Sequence, residues 1–178
     1  MKALGVAYLD LLRFTDLLLD KVDRRDFVAG IVGQNVVLEG MAFAVLEMLH
    51  ALSKGSNVKF AHTLAGVIAD ERRHVGFGEN RIGALIRRHP ERKADVERLQ
   101  REMSYHMLAA FAVVFRGGAT PPERSCLGRE PARADYRGLA LEAASPQELE
   151  QALAATVLAD FKRRLERIGV EYQTPPRP

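Results

Sequence analysis

Two residues with metal-ligand chemistry, Glu71 and His74, stand three apart in the run Ala69-Asp70-Glu71-Arg72-Arg73-His74-Val75-Gly76-Phe77-Gly78. On a helix that spacing puts a carboxylate and an imidazole on one face, one turn apart, where both can hold a single cation. Carboxylate oxygens with one imidazole suit iron or manganese better than zinc or copper. A third candidate, Glu39, lies upstream. The turn-like cluster Lys54-Gly55-Ser56-Asn57 separates it from Glu71, and Gly55 stands sixteen residues from each. Two helices running antiparallel about that turn place Glu39 and Glu71 at one height.

The elements that would position these residues read as helices. Glu39 interrupts an apolar stripe of Val28, Val32, Asn35, Ala42, Phe43 and Leu46, and Glu71 interrupts Leu64, Val67, Ile68, Val75, Ile82 and Leu85. A carboxylate on an apolar face is costly unless it is paired or binds a metal. The periodicity predicts helices over 2–21, 27–53, from Ser56 or Asn57 to about His89, from Glu91 to about Arg116, and a last one ending at Gly169. The last opens at Ser145-Pro146-Gln147-Glu148, a capping box with proline at the first helical position. Asp23 or Asp26 can cap the second helix. Its glycines Gly30, Gly33 and Gly40 point to close packing or ligand access. Residues 117–144 read as an irregular connection of loop and short helix, and 173–178 as a frayed proline-rich tail. No repeat and no strand pattern is evident, so the expected fold is all-α, in one domain spanning 1–178.

Composition narrows the classes. The chain has 178 residues, 47% of them hydrophobic, and a net charge of +3. It is long enough for one domain with a core. No apolar run reads as a membrane span, and the charged, amphipathic amino terminus is unlike a signal peptide. One cysteine, Cys126, cannot form an internal disulfide, which points to a reducing cytoplasm. Basic residues are dispersed. Arg87-Arg88 and Lys162-Arg163-Arg164 read as solvated helix faces, and no aromatic-and-basic platform suggests nucleic acid.

Other acid–histidine pairs have plainer readings. Glu47 and His50 share the triad's spacing, but His50 lies about 16 Å along the axis from Glu39 at 1.5 Å per residue. That pair reads as a helix-end surface pair, as do Glu102 and His106. His62 and His89 read as ordinary helix-face or terminal histidines. Tyr8 and Tyr105, possible redox partners by type, read as core tyrosines on apolar faces.

The local contexts Leu38-Glu39-Gly40-Met41-Ala42-Phe43 and Asp70-Glu71-Arg72-Arg73-His74 followed by Val-Gly-Phe-Gly resemble one helix pair of the ferritin-like di-metal carboxylate proteins. The nearest likeness is to the ribonucleotide reductase small subunit and its relatives, the ligand-binding oxidases, over roughly residues 25–115. The resemblance implies a ferritin-like bundle with Glu39, Glu71 and His74 as metal ligands. It implies that Asp70 bonds the outer nitrogen of a histidine ligand and so fixes its tautomer. It further implies an oxidase or oxygenase using a two-metal iron or manganese centre on a small apolar or fatty ligand. A ferritin-like ferroxidase and a metal-free partner subunit with a relic site are the alternatives.

Such bundles draw a glutamate from each of two helices and a Glu-x-x-His from each of the other two. Residues 1–38 contain no glutamate and no histidine. A second set of ligands would therefore come from outside this chain, unless the site is a relic that is never completed. It could reside in a missing amino-terminal portion or another subunit, or in a second copy related by a two-fold axis.

Overall fold

The computed structural model describes residues 2–116, 135–136, 138–140 and 145–174. The protein is an all-α bundle. Its helices are α1 (Lys2–Asp23), α2 (Phe27–Ile31), α3 (Glu39–Ser53), α4 (Val58–Arg88), α5 (Lys93–Arg116) and α6 (Pro146–Arg167). Among the described residues the one departure from helix and turn is a two-residue antiparallel ladder, β1 (Asp135–Tyr136) on β2 (Leu139–Ala140), inside the stretch read as loop and short helix. The rest of 117–144, with Cys126, and the tail from Pro175 lie outside the described residues, as does the side chain of Tyr8.

Local chemistry sets the helix ends. The Asp26 carboxylate accepts from the Ala29 amide at 3.0 Å and opens α2. Asn57 accepts from the Phe60 amide at 3.1 Å and opens α4. Ser145 and Glu148 form the reciprocal capping box at the head of α6. Pro90 begins a short 3₁₀ turn, Pro90–Arg92, which separates α4 from α5.

The helix expected over 27–53 is continuous but not uniform. Between α2 and α3, residues Val32–Leu38 form a π-helical turn, in which the Glu39 amide donates to the Gln34 carbonyl five residues back. This wide turn is driven deep into the bundle. At Gly33 a Cβ would stand 2.7 Å from Leu18 Cδ1 and 2.8 Å from Met103 Sδ, so a larger residue would make the ends of these two side chains, from α1 and α5, move aside. Val32, Val36, Val37 and Met41 are buried beside Met103, Leu153, Phe161 and Leu165 in one core. Residues 27–53 are also long and apolar enough to cross a membrane by length and composition, unlike the sequence reading. Its apolarity has an internal use, since it packs against α1, α4, α5 and α6.

Two burial assignments change. Val67, placed on the buried stripe of α4, is 36% exposed. Arg164, placed on a solvated face, is tucked against α4 and stacks 4.9 Å from the Phe43 ring centroid.

Candidate metal centre

The α3–α4 hairpin brings Glu39, Glu71 and His74 together. One ligand atom from each lies within 4.8 Å of the others. His74 Nδ1 stands 3.7 Å from Glu39 Oε1 and 3.5 Å from Glu71 Oε2. The three are unequally covered: the side chains of Glu39, Glu71 and His74 are 12%, 26% and 56% exposed. The cluster thus has its floor in the bundle and its mouth at the surface.

The two carboxylates differ in how they are held. Glu39 accepts from Gln34 Nε2 at 3.0 Å through one oxygen and from Asn35 Nδ2 at 2.8 Å through the other. Glu71 Oε2 is buried and has no hydrogen-bond partner. An orphaned buried oxygen is unfavourable by roughly 1–3 kcal/mol. A divalent cation among these three groups would satisfy it, and the donor set is the oxygen-rich kind that iron and manganese take.

Asp70 is exposed, and its carboxylate pairs with Arg73 on the next turn of α4. The other acid–histidine pairs do not assemble a cluster among the described residues. Glu102 pairs with Arg98 at 3.8 Å, His89 with Glu91 at 3.3 Å, and His106 packs edge-on to Tyr105 at 5.1 Å.

Beside the triad is an apolar cavity of about 510 Å³, lined chiefly by Leu18, Val22, Phe27, Ile31 and Phe77. Gln34 and Asn35 also form part of its wall, so the amides that hold Glu39 separate it from this space. At its rim Phe27 and Phe77 are 69% and 45% exposed. Sequence reading missed Gln34 entirely and took Asn35 as part of a packing stripe. A polar pair upstream of a ligand candidate was the available signal, but ideal helical phase does not bring Gln34 onto Glu39.

No protein-family model, no curated protein and no solved structure matches this chain.

Proposed function

We propose that the protein supplies one half of a two-metal carboxylate centre in an oxidoreductase that uses dioxygen on a small apolar substrate. The observation that carries this reading is the convergence of Glu39, Glu71 and His74 about an oxygen with no partner of its own. Iron or manganese bound there supplies the electrons for dioxygen reduction and the oxidising power for a C–H bond. Glu39 and Glu71 neutralise the cation's charge, and His74 offers its ring nitrogen. The open apolar cavity beside them offers a surface for an alkyl or similar apolar group, which favours an organic substrate over iron storage.

Three ligands leave a cation open on the side where His74 is exposed. A second Glu, Glu, His set, from another copy or another subunit, closes the centre on that side. The surface position of His74, Phe77 and Val67 supports such a covering partner. A reducing, cytoplasmic setting suits this chemistry.

The test is metal content after production in medium supplemented with iron and manganese, with Glu71→Ala as control. Two ions per pair of chains or per heteromer, lost in the variant, support the proposal. No ion in either protein overturns it. Dioxygen uptake stoichiometric with oxidation of an added hydrocarbon or fatty acid supports the oxidase. Uptake only with ferrous ion, ending in mineral, assigns a ferroxidase instead.

A further inference from the structure

We infer that Asn35 and Gln34 are positioning residues for the Glu39 ligand, and that Gly78 is the contact that lets Asn35 take that place. This rests on the metal reading above and adds to it how one ligand is set before a cation arrives.

The first observation is asymmetry between the carboxylates. Each Glu39 oxygen accepts from a different amide, while Glu71 Oε2 accepts from none. A carboxylate oxygen has two acceptor sites, so one amide on each still leaves a site for a cation. Two donors on two oxygens also fix the plane of the group. Glu39 is therefore held in one orientation, whereas Glu71 is free to adjust.

The second observation is the backbone that makes this possible. Gln34 and Asn35 stand five and four residues before Glu39. On an α-helix of 3.6 residues per turn, a side chain five positions back points about 140° away. Within the π turn the backbone hydrogen bonds reach five residues back, widening the coil, and the Glu39 amide bonds the Gln34 carbonyl directly. Both amides then lie under the same carboxylate. Single π turns inside α-helices are frequent at functional sites.

The third observation is Gly78 on α4. A Cβ there would stand 2.5 Å from Asn35 Cβ and 3.5 and 3.6 Å from its backbone carbons. The first contact is with the carbon next to the main chain, not with the end of a flexible side chain. Any residue but glycine must push the π turn and α4 apart, carrying Asn35 off Glu39. Gly78 lies one turn beyond His74, so one helix carries a ligand and the contact that seats the holder of another.

The experiment measures Mn²⁺ affinity of the full chain by calorimetry and the visible absorption bands of the Co²⁺ form. Asn35→Ala and Gln34→Ala each weaken Mn²⁺ binding about 10–100-fold, the usual effect of removing a partner behind a ligand. Both shift the Co²⁺ bands while leaving far-UV circular dichroism unchanged. Gly78→Ala weakens binding comparably in the wild-type background. In the Asn35→Gly background, where the colliding Cβ and the donor are both gone, it adds less than about twofold. That non-additivity is what a general packing defect would not produce. Wild-type affinity and bands in Asn35→Ala and Gln34→Ala overturn the inference. A Gly78→Ala loss undiminished in the Asn35→Gly background overturns the part assigned to Gly78. If Gly78→Ala does not fold, the two amide variants, which introduce no collision, decide alone. A wild-type chain that binds no Mn²⁺ or Co²⁺ removes the metal reading itself, a result distinct from the others.

Discussion

Two glutamates eight residues apart on α4, Glu71 and Glu79, meet opposite fates. Glu79 accepts from Arg164 at 3.0 Å and Arg167 at 2.7 Å, both from α6, and is 17% exposed. Glu71 is comparably covered at 26%, yet its buried oxygen has no donor, only the His74 ring at 3.5 Å. Eight residues turn the helix about 80° and advance it about 12 Å, so the two acids look at different neighbours. The first finds its cations within the chain and ties α4 to α6. The second is enclosed but left without one. Of two acids on one helix, the one whose buried oxygen finds no donor within the chain is the candidate for an external cation.

The largest effect expected from breaking this contrast is at Glu71. Glu71→Ala abolishes Mn²⁺ binding by calorimetry while the helical circular dichroism stays at its wild-type value, because the substitution removes the unpaired oxygen. Next, saturating metal stabilises the wild-type chain. At one hundred times Kd the gain is about 2.7 kcal/mol, which raises Tm by roughly 5–10 °C for a chain of this size. The same addition leaves Glu71→Ala unmoved and acts fully on Glu79→Gln.

A smaller effect follows at Glu79. Glu79→Gln leaves Arg164 part-buried without its counter-charge and lowers stability by about 1–2 kcal/mol in urea titrations. Its Mn²⁺ affinity remains that of the wild type. A loss of metal binding in Glu79→Gln, or an unaltered urea midpoint, would erase the distinction between the two acids.

The smallest effect concerns a third, fully exposed acid. The Ser145 backbone amide, and secondarily its hydroxyl, hold Glu148 below the usual carboxylate range. A lowered folded-state value contributes stability above the unfolded value of 4.5 and loses it as pH falls through the folded value. Ser145→Ala removes the hydroxyl, the lesser of these two partners, together with the cap it gives the Glu148 amide, and lowers stability at pH 7. The difference between variant and wild type narrows as pH drops below the ordinary glutamate range, which urea titrations at pH 7 and pH 3 would show.

Much of this arrangement was legible in the sequence. The caps at Asp26, Asn57 and Ser145 are short-range chemistry, and they set the helix starts. Gly55, equidistant from Glu39 and Glu71, fixes the hairpin register that lets the two acids meet. What escaped depends on contacts between elements. Arg163 and Arg164 are neighbours in sequence but about 100° apart on α6. One pairs with Asp160 on its own helix, and the other crosses to Glu79 and Phe43. The stripe through Val28 and Asn35 assumed 3.6 residues per turn throughout, and the π turn breaks that count.

That wide turn also gives the long central helix two phases. Before it, α2 packs chiefly on α1; after it, α3 packs on α4 and α6. Deleting one residue from 32–38 would regularise the coil and slip the upstream half by about 100° against the downstream half. Either Phe27 and Ile31 would leave their wall of the cavity or the carboxylate of residue 39 would swing from its histidine. The extra residue acts as a spacer that lets two misaligned halves of the bundle engage at once.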